Sequence, residues 1–571
     1  MRVADQIVEF VEKVCASNVF VLTGNGAMYL NDAIEISETL SYTCVRNEAA
    51  APIAASSYSD IENLPGVVCV TAGPGSTNAI AGLAEVWVDS GSILILSGQV
   101  PSAEILNYGR SPKVMRTFGI AGIPVTTYIK DITKYSAIIL HPSEVRSVLK
   151  ETYKALLSGR KGPVWIDLPL DVQSSEAVNW SIDELIIESE KELKETEFEY
   201  FSNSEMEQIS NFLNSLNKPM ILLGRGILEI EDFNTFKEWI IKTNIPFATS
   251  RVVAHKFDIG IKNNLGVLGV RGRAWSKKIL GEVDGILSIG SRIPSSIVGP
   301  NYEYLNREAK LGMIDIDIDE INRHGARVTT CINKSLKNFG KVIDGIRLNL
   351  NDINWPDEAT KIKSILSQKN KNAQSMKPLS IYWFVENLED FAPKNTVLTT
   401  DAGSNYYACG QSVKYNKYIK EITSGTFAAM GLSLPLAIGA AAAIKKINGQ
   451  VFCITGDGSI ELNIQELQTL STYKLPVKIF VINNGGYASM RTWQDTFFNS
   501  RYIGSTDDTG ARPLNFSKVA DAFGINYEVI KNEEDFQTKI GDITKFEGPM
   551  LIEVICDSNE KLQLPMNVDI V

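Results

Sequence analysis

Short, unbroken apolar runs punctuate the chain, each flanked by Gly, Thr, Ser or Pro. In the first third they are Val19–Leu22, Gly66–Thr71, Ser92–Ser97 and Pro163–Leu168. Strands buried on both faces of a parallel sheet carry this continuous pattern, because helices cover each side. Helix-like segments lie between the runs, and the alternation predicts a doubly wound sheet over residues 1–175. The pattern returns in Pro219–Leu223, Gly285–Ile289 and Leu311–Ile318, which marks a second unit over 195–350. It returns again in Thr396–Thr399, Gln450–Thr455, Val477–Ile482 and Met550–Val554, a third unit over 375–560. The fold class expected is therefore α/β, with three doubly wound domains and no short-period repeat.

Two stretches break the pattern. Residues 174–200 are acidic and read as a linker, with a solvated helix compatible; residues 351–376 are polar and read as a second linker. Phe427–Ile444 is apolar over a length near the membrane-spanning minimum. It holds Gly431, Pro435 and Gly439 and is rich in Ala, so it predicts a buried helix and no membrane association.

Composition narrows the chemistry. The 571 residues are 44% hydrophobic and 22% charged, enough for a core in each unit. The net charge of −11 disfavours nucleic acid as a bulk partner, but leaves room for a phosphorylated ligand in a local pocket. The three histidines, His141, His255 and His324, are far apart and form no metal-ligand spacing. Seven cysteines without a CxxC, several in apolar runs, read as reduced thiols. The amphipathic, acid-bearing N-terminus is not a signal peptide, so the expected location is the cytoplasm.

The strongest chemical signal is a strand-like run ending in Gly456-Asp457-Gly458-Ser459, followed some two dozen residues later by Asn483-Asn484-Gly485-Gly486-Tyr487 after a second such run. Two adjacent parallel strands would bring both turns to the carboxyl edge of one sheet, where α/β folds bind ligands. Asp457, the Asn484 amide and the Gly486 carbonyl are hard oxygen donors that suit Mg²⁺ on a diphosphate. The glycines let the backbone approach phosphate oxygens, and a helix starting at Ser459 favours anions.

With these turns stand Arg46-Asn47-Glu48-Ala49-Ala50-Ala51, Thr71-Ala72-Gly73-Pro74-Gly75-Ser76-Thr77-Asn78, Ser97-Gly98-Gln99-Val100, Ser424-Gly425-Thr426-Phe427-Ala428-Ala429-Met430 and Trp493-Gln494. On these residues the chain resembles the thiamine-diphosphate-dependent enzymes, most closely acetolactate synthase large (catalytic) subunits and their sugar-nucleotide-modifying relatives, over nearly its whole length. The resemblance implies pyrimidine-binding, central Rossmann-like and diphosphate-binding domains, in that order. It makes Glu48 the catalytic group, bonded to a pyrimidine ring nitrogen so that the cofactor's own amino group acts as base. Gly73, Pro74 and Asn78 would bind the cofactor beside it. Met430 would be the wedge that bends the cofactor, and the Ala428–Met430 backbone would bind the pyrimidine edge. Gly456, Asp457, Gly458, Ser459, Asn484, Gly486 and Tyr487 would hold thiamine diphosphate, with Mg²⁺ on Asp457, Asn484 and Gly486. In the central domain Gly224, Gly226, Arg292 and Asp315 suit an FAD that does no redox work; the other reading is a Rossmann-like domain that binds nothing. Active sites would lie between subunits, in a homodimer or homotetramer.

The implied reaction decarboxylates pyruvate and transfers the acetyl (hydroxyethyl carbanion) unit to a carbonyl acceptor. The alternatives are a non-oxidative 2-oxoacid decarboxylase that releases an aldehyde, and a catalytically silent homologue, against which Glu48, Asp457 and Asn484 speak. The first-domain motifs contain no histidine to protonate the carbanion, which favours carboligation. Substrate would meet Gly26, Ala121, Trp493 and Gln494. The chain departs from the family pattern at Asn47 and Ala49, at one extra residue within Thr23–Met28, and at Ala121-Gly122, where a polar pair is usual. These changes cluster on the acceptor side. Smaller side chains there, with Gly24–Asp32 resembling the sugar-pathway subgroup, suggest a keto-sugar nucleotide as acceptor beside a second 2-oxoacid.

Overall fold

The computed structural model describes residues 1–109, 115–197, 200–370 and 378–565. The domain boundary expected at 375 lies outside the described residues. Three six-stranded sheets, all parallel, follow one another along the chain, which is the α/β class expected.

The first sheet comprises β1 (Asn18–Val21), β2 (Ser41–Cys44), β3 (Gly66–Val70), β4 (Ile93–Gln99), β5 (Tyr135–Ile138) and β6 (Val164–Pro169), in the order β2-β1-β3-β4-β6-β5. The second comprises β7 (Pro219–Leu223), β8 (Phe247–Thr249), β9 (Asn264–Val267), β10 (Gly285–Ile289), β11 (Lys310–Asp315) and β12 (Val328–Asn333), ordered β12-β11-β10-β7-β8-β9. The third comprises β13 (Thr396–Thr400), β14 (Lys420–Ile422), β15 (Gln450–Gly456), β16 (Val477–Asn483), β17 (Asn526–Ile530) and β18 (Met550–Ile555), ordered β14-β13-β15-β16-β18-β17. The outer two sheets thus share one winding, while the middle sheet follows the dinucleotide-fold order. Each sheet has a point where the winding reverses, between β1 and β3, β7 and β10, and β13 and β15. In open α/β sheets ligands bind outside the carboxyl ends at such points.

The second expected linker is instead largely helical, and the first is the helix its acidic pattern also allowed. The Trp355–Asn370 helix buries Trp355 and Ala359, and the Trp355 indole N–H donates to the Pro219 carbonyl at 2.9 Å. Its apolar positions, Trp355, Ala359, Ile362 and Leu366, fall on one helical face, a period masked by the polar residues between them. The Ile182–Glu197 helix buries Ile182 and Leu185 and pairs Glu188 and Glu192 with Arg146, Lys150 and Lys154 on the Val145–Leu157 helix. Phe427–Ile444 is helical only from Ser433, because Ala428 and Gly431 take positive φ (53° and 79°). Among the described residues no helix is long and apolar enough to cross a membrane.

The Ser433–Ile444 helix packs on the Ala50–Glu62 helix, fusing the cores of the first and third units into one cluster. The approach is close: a Cβ on Gly439 would lie 2.0 Å from the Ala54 carbonyl oxygen. Ser57 Oγ donates to the Leu436 carbonyl at 2.7 Å across the same seam.

Candidate active site

The sequence-predicted residues gather into three places, each at the reversal point of one sheet. At the first, the loop after β1 carries Gly26 and the loop after β3 carries Gly73. Gly26 N–H donates to Thr71 Oγ1 at 3.0 Å, and a Cβ there would lie 2.9 Å from that of Ala72. Gly73 has φ of 62°, and its missing Cβ makes way for the Ala121 carbonyl, which would be 2.2 Å off. Pro74 then opens the Pro74–Val88 helix with its fixed φ. The first turn of that helix cradles Glu48. Asn78 Nδ2 donates to Glu48 Oε2 at 3.0 Å, and a Cβ on Gly75 would lie 3.4 Å from Oε1. Glu48 is only 8% exposed.

The loop expected to contact the acceptor forms a tight bridge, Phe118 with Gly122, and leaves Ile120 fully exposed at its tip. Gly122 opens no space. A Cβ there would meet the buried Phe118 ring at 2.2 Å, so the ring fills what a side chain at 122 would occupy.

At the third sheet, the turns after β15 and β16 meet as the spacing predicts. Asp457 Oδ2 accepts N–H bonds from Asn484 (3.1 Å) and Gly486 (2.9 Å), and Oδ1 from Gly458 (2.8 Å). Burial raises the Asp457 carboxyl to about 6, while these backbone donors act to lower it. The Tyr487 ring lies over Gly458, where a Cβ would come within 2.2 Å of it. Arg491 gathers the Asn484, Gly485 and Ser505 carbonyls, fixing the loop from behind.

Residues not visible in the sequence complete this edge. After β13, Gly403 (φ 72°) starts the Ser404–Ser412 helix, and Ser404 Oγ accepts from Asn484 Nδ2 at 3.4 Å. Asn405 is 1% exposed, and its Oδ1 has no protein partner. Asp401 accepts from Ala402, Gly431, Ser433 and Thr455. A strand-like run passing into Asp-Ala-Gly-Ser carried the signal, which the more conspicuous Gly-Asp-Gly overshadowed. The site thus combines hard oxygen donors, a helix N-terminus and an orphaned buried amide oxygen, a donor set that fits a diphosphate with Mg²⁺.

Met430 is half-exposed, not core. The loop before it is held in place by Ser424 Oγ, which accepts from Ala428 N–H at 2.8 Å. The left-handed Ala428 is a strained conformation, of the kind that persists where the surroundings over-determine the backbone. Trp493 stacks on Phe497 at 5.9 Å along the Ala488–Phe498 helix. Gln494 faces inward, its amide committed to the Ile503 carbonyl (3.1 Å) and the Ser505 hydroxyl (2.6 Å).

At the second sheet, Gly224, Gly226, Arg292 and Asp315 all line one cavity of about 550 Å³, with Arg160 from the first unit and Thr426 from the third. The two glycine turns nest: a Cβ on Gly226 would lie 2.7 Å from the Gly290 Cα. Arg292 donates to the Thr426 hydroxyl, and burial raises the Asp315 carboxyl. The volume is in the range of nucleotide-sized ligands.

None of the three histidines bonds Glu48 or Asp457. His141 is an exposed cap beside Ser143, His324 binds Tyr302 Oη (2.6 Å) and the Arg292 carbonyl, and His255 is buried, which holds its imidazole well below its usual range.

Three thiamine pyrophosphate enzyme models match this chain: the N-terminal TPP binding domain at residues 1–130, the central domain at 206–339 and the C-terminal TPP binding domain at 401–554. The chain belongs to the thiamine pyrophosphate enzymes. It is similar to acetolactate synthase 1, chloroplastic, of Nicotiana tabacum (28% identical, over 99% of this chain and 83% of the relative). It is also similar to the acetolactate synthase large subunit of Lactococcus lactis (28%, over 96% and 91%) and the isozyme 1 large subunit of Escherichia coli (27%, over 98% and 94%). Within the family it is an acetolactate synthase-like, thiamine-diphosphate-dependent enzyme.

Proposed function

We propose that this enzyme is a Mg²⁺-dependent carboligase that decarboxylates pyruvate and passes the acetyl unit to an acceptor carbonyl, of a keto-sugar nucleotide or a second 2-oxoacid. Thiamine diphosphate, when bound, supplies the electron sink that stabilises a carbanion. Asp457, Asn484 and the Gly486 carbonyl hold Mg²⁺, and Gly458, Ser459 and the Ser404 turn receive the diphosphate. Met430 orients the ring system, with Ala428 and its neighbours at the pyrimidine edge. Glu48 holds the proton exchanged at the pyrimidine nitrogen.

The observation that carries carboligation is the placement of the three histidines, none of which bonds Glu48 or Asp457. No imidazole of this chain stands bonded there to deliver a proton, which supports transfer to a carbonyl over release of an aldehyde. The site is completed by two copies: Glu48 is bonded within its own unit, and exposed Ile120, Met490, Phe497 and Ile503 flank the half-sites as surface for a second chain to cover.

Mass spectrometry of products from pyruvate, alone and with a panel of 2-oxoacids and keto-sugar nucleotides, tests the reading. The expected product carries a new carbon–carbon bond; free acetaldehyde without any condensation product overturns it. Acetolactate from pyruvate alone at ordinary turnover assigns the second 2-oxoacid as acceptor, a result consistent with the Phe118 ring filling the space beside Gly122.

The central cavity is assigned to FAD, its diphosphate on the Gly224–Gly226 and Gly290–Arg292 turns and a ribose hydroxyl on Asp315. Protein purified with riboflavin supplied is expected to show flavin absorbance that is released on denaturation and is not bleached by pyruvate under turnover. A colourless, fully active enzyme rejects the assignment.

A further inference from the structure

β2 is an edge strand, and the chain runs on from it through Val45, Arg46 and Asn47 into Glu48. Side chains of the third unit stand where a neighbouring strand would be. Tyr473 Oη accepts from Cys44 N–H at 2.8 Å. The Glu466 carboxylate accepts from both Arg46 N–H (2.9 Å) and Asn47 N–H (3.0 Å) through one oxygen, Oε1. Its other oxygen accepts from Thr469 Oγ1 at 2.8 Å. Glu466 is fully buried (0% exposed). Burying a carboxyl group is costly unless its oxygens are hydrogen-bonded, and both Glu466 oxygens accept bonds here. Its placement fixes the backbone immediately before the catalytic side chain.

Glu466 also ends the 3₁₀ segment Ile460–Glu466 that begins one residue after Ser459. In the same segment Asn463 Nδ2 donates to the Gly431 carbonyl, beside Met430, at 2.9 Å. One short stretch therefore touches the diphosphate turn, the wedge loop and the backbone leading to Glu48.

We propose that Glu466 is a positioning residue for Glu48, and that it thereby ties the diphosphate turn and wedge of one active site to the catalytic glutamate of the neighbouring one. This rests on the reading that Glu48 serves the cofactor held by the third unit of a second copy. In that arrangement Glu466 holds the Arg46 and Asn47 N–H groups just before Glu48 within its own chain, yet sits on the segment that holds the other site's cofactor.

Glu466→Ala is expected to lower kcat about a hundred-fold, the loss typical of a catalytic group displaced by an ångström, with KM for pyruvate and cofactor affinity nearly unchanged. Deuterium exchange at the cofactor's reacting carbon, measured without pyruvate, slows in parallel because it reads the Glu48 proton path. Glu466→Gln keeps an acceptor oxygen and restores most of the rate, whereas Glu466→Asp keeps the charge but withdraws it by one methylene and does not. Unchanged exchange in both E466A and E466D overturns the proposal.

Hybrid dimers of two differently tagged chains separate the proposal from its premise. In a hybrid of E48Q with D457A, a site shared between copies puts both lesions in one place and leaves about half of wild-type activity; a dead hybrid rejects the shared site itself. In a hybrid of E48Q with E466A, or with E466D where E466A fails to assemble, Glu466 acting on Glu48 of its own chain spoils both sites. Survival of about half the activity there means that Glu466 serves only its own diphosphate turn, and overturns the proposal.

Discussion

Replacing Glu48 by Gln is expected to lower turnover by about 10³-fold, within the range for loss of a general acid–base group, while thiamine diphosphate affinity stays within a few-fold of wild type. The separation follows from where the two halves lie. The diphosphate and metal donors belong to Asp457, Asn484 and the Ser404 turn, none of which bonds Glu48. The carboxyl is held by Asn78 Nδ2 at 3.0 Å, and a glutamine oxygen accepts the same bond in the same nearly closed slot. What the amide cannot do is give and take the proton. Steady-state kinetics beside calorimetric titration with the cofactor and Mg²⁺ check the prediction. Turnover surviving within ten-fold rejects Glu48 as the proton-holding group, and loss of cofactor binding relocates it to the binding half.

The second large effect is on stability. Arg251 and Glu421 form a buried pair between the second and third units, with side chains 3% and 0% exposed. Arg251 Nε donates to Glu421 Oε2 at 3.0 Å and Nη2 to Oε1, while Nη1 reaches the Tyr406 carbonyl at 2.6 Å. Its guanidinium lies 4.7 Å from the Tyr406 ring centre, and Tyr415 Oη adds a bond to Glu421 at 2.7 Å. Arg251→Met leaves Glu421 charged, buried and bonded only by hydroxyls, at a cost of about 3–5 kcal/mol. The apparent thermal midpoint is expected to fall by several degrees. The double variant Arg251→Met/Glu421→Leu removes both charges and regains most of the loss, because a buried pair exchanged for apolar side chains is often neutral. A double variant no more stable than the single one shows that shape, not charge, governs this seam.

What could be read from the sequence divides along physical lines. Of the eighteen strands, those recognisable as apolar runs are the inner ones, covered by helices on both faces. The ones not recognisable are the six edge strands and the three-residue β8. β2, β5, β12 and β17 are partly exposed along their length, so Ser, Thr, Tyr and Glu interrupt their pattern; β8, β9 and β14 are buried but only three or four residues long. The Trp355–Asn370 helix, read as a linker, is hidden for a related reason, since its polar outer face dilutes a thin buried stripe. In the site, glycine-bounded acids and amides were legible because the backbone there has few alternatives. Asp401, Ser404 and Asn405 were not, as their roles appear only when β13 is placed beside β15. The Phe118 ring beside Gly122 was illegible altogether, because a glycine in sequence reads as space whether or not a neighbour fills it.

The seam between the Ala50–Glu62 and Ser433–Ile444 helices joins residues nearly 400 positions apart. At about 5–20 residues per second of synthesis, the first unit leaves the ribosome roughly 20–80 s before its partner face exists. Through that interval the helix face carrying Ala54 and Ser57, which meets Gly439 and Leu436 once the seam closes, faces water or a chaperone. For this enzyme the hazardous stage of biogenesis is therefore not the folding of any one sheet but the wait between the first and the last. Conditions that slow elongation between those two helices lengthen the time in which that surface can meet another nascent chain.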